Sequence, residues 1–138
     1  MIRIEPGAWQ VMVDHGRACY PKECCGIMLG TVNGDSRTVT LAIACKNAYE
    51  GEQRDRFQLD PRDQLAADRK ARELGVSVLG FFHSHPDEDS YFSATDLKNS
   101  WPWYSNVVMS IRGGEFNVAR SFIANDDQTA ATPEELTY

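Results

Sequence analysis

Val76 to Phe82 reads Val-Ser-Val-Leu-Gly-Phe-Phe, an apolar run broken only by Ser77 and Gly80. A run of this kind matches a strand buried on both faces, so the rest of the chain has to cover it from two sides. Two segments have helical periodicity. Across Pro6 to Tyr20, Trp9, Met12, Val13, Gly16, Cys19 and Tyr20 recur on one face, with Pro6 in the first turn and Pro21 as the stop. Asp60-Pro61 reads as the cap and first turn of a second helix over Arg62 to Leu74, ended by Gly75. Apolar runs at Cys24–Val32 and Thr38–Cys45 flank Asn33-Gly34-Asp35, and Asn106–Arg112 and Glu115–Ile123 flank Gly113-Gly114. Both pairs are hairpin signals. Phe57–Leu59 reads as a short strand, Lys46–Arg56 as an exposed loop, and Ser93 as the N-cap of a further helix. The expected class is mixed α/β: one domain over residues 1–124, then a polar, loosely held tail over 125–138.

The 138 residues carry a net charge of −6, with a pI near 5.0. That balance lacks the basic footprint of a nucleic-acid binder. The apolar run is too short to cross a bilayer. No basic start precedes an apolar stretch, so a cytoplasmic location with no membrane partner is expected. Cys19, Cys24, Cys25 and Cys45 have no C-x-x-C spacing and read as reduced thiols packed as small apolar groups.

The chemistry gathers where the apolar strand ends, at His83-Ser84-His85-Pro86. Residues two apart on a strand point to the same side, so both imidazoles can reach one metal ion while Ser84 turns away. Pro86 lacks a backbone donor and helps end the strand. Asp87, Glu88, Asp89 and Asp96 are the acids at hand for a third ligand. Asp87 would have to fold back sharply, whereas Asp96 follows His85 after ten residues, enough for a loop and a return on a helix. On that helix Ser93 and Asp96 share a face, and Asp96 is the expected ligand. Two neutral histidines and one aspartate leave a zinc ion with a net charge of about +1 and an open fourth position, the pattern of a catalytic site. A general base is still required, and Glu23, just ahead of the Cys24 strand, is the candidate. Ser93 is the candidate oxyanion donor.

His83-Ser84-His85-Pro86 followed by Ser93 and Asp96 resembles the signature of the JAMM (MPN+) metalloproteases. Pro21-Lys22-Glu23-Cys24-Cys25-Gly26 with Leu29-Gly30, Phe57-x-x-Asp60-Pro61 and Gly80-Phe81-Phe82 resemble further stretches of small prokaryotic members, and the likeness runs from Ile2 to Ile123. Cys24-Cys25 departs from the family's usual single cysteine after an aliphatic residue. The resemblance implies a mixed, mainly antiparallel sheet flanked by helices, of cytidine-deaminase-like architecture. It implies one zinc ion per chain held by His83, His85 and Asp96, with Glu23 as general base and Ser93 as oxyanion donor. It further implies a ubiquitin-like protein as partner, cut next to its C-terminal Gly-Gly tail. Maturation of a sulfur carrier and removal of a ubiquitin-like conjugate are both compatible, and a homodimer is a family option. By the same resemblance Asn47–Arg56 and Leu97–Tyr104 border the substrate groove, with Trp101, Trp103 and Tyr104 as an apolar wall.

Other readings fit less well. His83-x-His85-x-Asp87 opens like a metallo-β-lactamase ligand run, but Glu88 stands where the next histidine belongs and the only other histidine, His15, lies upstream on the polar side of the first helix. A mononuclear iron oxygenase groups histidine with carboxylate first, the reverse of the order here. A cysteine nucleophile at Cys24 or Cys25 paired with His83 lacks a residue to orient the base. A non-catalytic scaffold would have lost some of these positions, and all are filled.

Overall fold

The apolar run is central strand β4 of an eight-stranded sheet in the computed structural model, which describes residues 1–138. In chain order the elements are β1 (Ile2–Ile4), α1 (Pro6–Cys19), β2 (Cys25–Asn33), β3 (Ser36–Cys45), α2 (Pro61–Leu74), β4 (Ser77–Pro86), α3 (Ala94–Asn99), β5 (Ser105–Arg112), β6 (Glu115–Ala124), β7 (Ala131–Glu134) and β8 (Leu136–Thr137). The strands lie in the order β7-β6-β5-β4-β2-β3-β1-β8. β2 pairs antiparallel with both β3 and β4, and β5–β6 and β6–β7 are antiparallel too; β4–β5 is parallel. The expected mixed α/β class, mainly antiparallel with flanking helices, is the class observed. No helix is long and apolar enough to cross a membrane.

Each sheet face has its own core, which is why β2 and β4 are apolar almost throughout. On one side Met12 of α1 packs with Cys24, Met28, Leu79, Phe82, Val107, Met109 and Ile111. On the other, Ala67 and Ala71 of α2 pack with Cys25, Ile27, Leu29 and Cys45. α1 comes close because Gly16 has no side chain: a Cβ there would sit 3.1 Å from Ile111 Cδ1. α2 is capped as its sequence predicts, with Asp60 accepting the Arg62 N–H and Gly75 (φ 68°) closing the last turn. The β2–β3 turn needs a positive φ only at Gly34, a type II′ arrangement. In the β5–β6 turn Gly113 and Gly114 both take positive φ, as type I′ demands.

Two expectations are corrected, and one strand is new. Phe57–Leu59 forms no strand and belongs to the long loop after β3. The short strand β1, paired between β3 and β8, has no counterpart in the sequence reading. The polar stretch from Asn125 is not loose: β7 extends one edge of the sheet, β8 the other, with only Glu135 between them. The Ile2 N–H donates to the Glu135 carbonyl (2.8 Å), and the Trp9 ring packs edge-on against Phe116 and Tyr138. Composition points to solvent here, but Leu136 packs on the α1 core and backbone pairing holds the rest.

Candidate active site

Side chains alternate at the end of β4, and His83 and His85 emerge on the α2 side of the sheet. Ser84 points the other way, where its Oγ accepts the Cys24 N–H (2.8 Å) and staples β4 to β2. The chain then turns at Asp87, whose positive φ (58°) is held by three contacts. Its amide donates to the Ile111 carbonyl, and its carboxylate accepts from the Gly113 N–H (2.8 Å) and the Tyr20 hydroxyl (2.6 Å). Glu88 accepts from Tyr91, and Asp89 pairs with Arg112. None of these three acids contacts either imidazole. Their contribution is indirect, because the Asp89 carbonyl accepts from His85 Nδ1 (2.9 Å) and so leaves Nε2 facing inward.

α3 brings the carboxylate. Ser93 is its N-cap: Ser93 Oγ accepts the Asp96 N–H and Asp96 Oδ2 accepts the Ser93 N–H, both at 3.0 Å, a reciprocal capping box. The same Oδ2 lies 3.2 Å from His83 Nε2 and 3.3 Å from His85 Nε2, and the two nitrogens are 3.2 Å apart. Each N–H can point along only one edge of such a triangle, so protons alone satisfy it poorly. Zinc–ligand bonds of about 2.0–2.1 Å in a tetrahedron place ligand atoms about 3.3 Å apart, the size of this triangle. The donor set therefore fits a zinc ion. Phe57 stacks on His83 (4.5 Å between centroids) and Tyr91 meets His85 edge-on (4.9 Å), which fixes both rings.

Glu23 faces the pair of imidazoles from two residues before β2. It is 3% exposed, and its Oε1 is a buried oxygen without a hydrogen-bond partner. Its carboxylate lies within 4.8 Å of the imidazole nitrogens, so Glu23, His83 and His85 also form a possible ligand set. Asp96 Oδ2 lies within hydrogen-bond distance of both nitrogens, whereas Glu23 makes no hydrogen bond to either. Environment separates the two acids. Burial, then Asp96, Asp55 and Glu88, push the Glu23 carboxyl up to about 9. Burial also works against ionised Asp96, but His83, His85 and the Ser93 amide outweigh it and hold the group well below the usual carboxylate range. Burial lowers His83 despite its Asp96 contact; it also acts to lower His85, where hydrogen bonds with Asp96 and the Asp89 carbonyl win and raise it.

Two clefts adjoin at Gln64. One, of 410 Å³, holds Asp96 between Phe57, Leu59, Thr95 and Asn99. The other, of 340 Å³, is apolar and lined by Ile27, Val78, Phe81, Trp101 and Tyr104. Tyr49, Asp55 and Arg56 line the first cleft and Trp101 and Tyr104 the second, whereas Trp103 lines neither and stacks on the Arg37 guanidinium (4.1 Å). His15 is no exposed bystander: it is half-buried and bonds the Cys45 carbonyl through Nε2 (2.9 Å). All four cysteines are free, and burial pushes the Cys24 thiol up to about 12, which disfavours a nucleophilic thiolate. Asn47 escaped the sequence reading, and only its place in a loop rich in polar residues hinted at it.

Residues 5–124 match the family described as prokaryotic homologues of the JAB domain. The chain is 37% identical over 94 residues to a desampylase of Haloferax volcanii, a match covering 67% of this chain and 66% of that protein. It is 26% identical over 125 residues to a CysO-cysteine peptidase of Mycobacterium tuberculosis, covering 88% and 82% of the two chains. A solution structure of a Desulfitobacterium hafniense protein superposes with a TM-score of 0.86 at 31% identity, over 99% of this chain and 91% of that one. With a match spanning strands β2 to β6 and every residue of the histidine–carboxylate cluster, the chain belongs to the prokaryotic JAB-domain family.

Proposed function

We propose that this protein is a zinc-dependent peptidase that hydrolyses the amide bond following the C-terminal Gly-Gly tail of a ubiquitin-like protein. The observation that carries the reading is the triangle of His83 Nε2, His85 Nε2 and Asp96 Oδ2, with edges of 3.2–3.3 Å. The names of two relatives, a desampylase and a CysO-cysteine peptidase, support the hydrolase class. His83, His85 and Asp96 would hold one zinc ion per chain. Zinc supplies Lewis acidity there, making water a nucleophile near neutral pH, polarising the scissile carbonyl and favouring the Glu23 carboxylate over its raised acid form.

Glu23 takes the proton from the attacking water and returns it to the departing amine, a role open to its unpartnered Oε1. Ser93 Oγ accepts the Asp96 N–H, so its own proton is free to be donated to the oxyanion. The clefts meeting at Gln64 suit an extended tail, and glycines at the cut bond let its backbone come close to the histidines. Maturation of a sulfur carrier is our preferred assignment; release of a ubiquitin-like conjugate would use the same residues.

The test is zinc analysis together with cleavage of a ubiquitin-like protein extended beyond Gly-Gly, followed by mass spectrometry. We expect about one zinc per chain, cleavage after the second glycine, loss on chelation, and a fall of roughly 10²–10⁴-fold in Glu23→Gln with folding unchanged. Cleavage that survives both chelation and Glu23→Gln would rule out this chemistry. A zinc-loaded protein that cuts no tail would point instead to an interaction module.

A further inference from the structure

We propose that Asn47 is the positioning residue that aims Glu23 at the two imidazoles; this rests on the role given to Glu23 above. Glu23 lies two residues before β2, outside the ladder that fixes Cys25 opposite His83. Both of its backbone polar groups are taken by the loop after β3. Its N–H donates to the Gln53 carbonyl (2.7 Å), and its carbonyl accepts from Asn47 Nδ2 (3.3 Å). Because Oε1 has no partner, the side chain takes its aim from this backbone attachment.

Asn47 also organises the loop. Its Nδ2 donates to the Arg56 carbonyl (3.0 Å), and its Oδ1 accepts the Tyr49 and Gln58 N–H groups (3.0 and 3.1 Å). With the Glu23 contact, both amide protons and both oxygen lone pairs are used. No helix or strand spans 46–60, and the other ties across the loop are few: Gln53 Nε2 donates to the Asn47 and Tyr49 carbonyls, the Ala48 N–H to the Gln58 carbonyl (2.9 Å), and the Arg54 N–H to Glu52. The loop carries Phe57, which stacks on His83. One side-chain amide thus links the backbone of the base to the ring that braces an imidazole. Aspartate cannot replace it, because two of the four partners are carbonyls that need a donor.

Asn47→Ala tests this through a kcat-against-KM split and a double-mutant cycle with Glu23→Gln. We expect kcat to fall roughly 10- to 100-fold, the scale of a misplaced catalytic group, with KM and zinc content within about twofold of wild type. On the residual activity of Glu23→Gln, adding Asn47→Ala should cost less than about twofold, because a residue acting through the base has nothing left to position. Independent, multiplicative losses, or a change led by KM or by zinc content, would overturn the proposal. If Asn47→Ala does not fold, Asn47→Asp keeps the acceptor and loses both donors, and the same split and cycle apply. If wild-type protein cuts no tail, the functional reading fails, and amide exchange in the metal-free protein tests the clamp by itself. The Glu23, Tyr49 and Gln58 amides should be protected in wild type and exchange at least tenfold faster in Asn47→Ala; equal rates would refute it.

Discussion

Glu23 and Asp96 face the same pair of imidazoles, yet their carboxyls are driven in opposite directions. Asp96 has both histidines and a backbone amide to stabilise its charge; Glu23 has burial and the negative charge of Asp96. The two shifts have opposite consequences for stability. The Glu23 pKa is raised on folding, so the native state holds that proton more tightly than the unfolded chain. Its contribution is complete below about 4.5 and is lost as pH rises towards about 9. Asp96 is depressed, so its contribution is present above its unfolded value of 3.8 and is lost as pH falls below it. In metal-stripped protein, Glu23→Gln should therefore flatten the fall in melting temperature between pH 5 and pH 9 that Glu23 causes and should melt higher than wild type at pH 8.5. Thermal melts across that range check it; parallel wild-type and variant curves would contradict a raised Glu23.

At the scale of elements, β4 supplies the imidazoles, α3 the carboxylate, and the turn between them sets their separation. Ser93 caps α3 and, in the function proposed above, also serves as the oxyanion donor. Ser93→Ala should cost about 0.5–2 kcal/mol through the lost cap, and about 10²–10³-fold in rate through the lost oxyanion donor. Ser93→Gly, which costs a cap only a few tenths of a kcal/mol, should lose the same rate with little loss of stability, a contrast read by denaturation and turnover together. The turn offers a second test. Asp87 binds Tyr20 and Gly113, and its neighbours present the Asp89 carbonyl to His85. Asp87→Ala removes no ligand, but should weaken zinc affinity by about 10–100-fold, as loss of an outer-shell support does. Competition with a chromophoric chelator would show it, and unchanged affinity would mean that the turn holds without Asp87.

Across the whole molecule, the two faces of the sheet divide the work. The α1 face holds the larger core, and the α2 face carries the smaller core, the clefts and the histidine–carboxylate cluster. The C-terminal stretch ties the sheet's two edges together over α1, with Leu136 packed on the core and Tyr138 on Trp9. Deleting residues 131–138 should cost about 2–3 kcal/mol from the lost apolar cover, or roughly 10 °C in melting temperature, and expose the β1 and β6 edges to association. Zinc binding by the truncated protein, measured below its melting point, should persist, because the segment supplies no member of the cluster and reaches α3 only where Ala131 and Pro133 line a cleft with Ser93 and Leu97.

What the sequence determined alone is what depends on near neighbours. Alternation along β4 decided that His83 and His85 share a side and that Ser84 does not. Asp60-Pro61 and Gly75 bounded α2, and Ser93 with Asp96 fitted a single turn of helix. Tertiary structure alone decided which distant groups meet. Nothing in Asn47 announced four hydrogen bonds, nothing in residues 131–137 announced opposite edges of one sheet, and Phe57 read as a strand until its ring found His83. Backbone periodicity and capping act within a few residues and leave a readable pattern. Long-range pairing depends on where the folded chain returns, and local composition carries little trace of it.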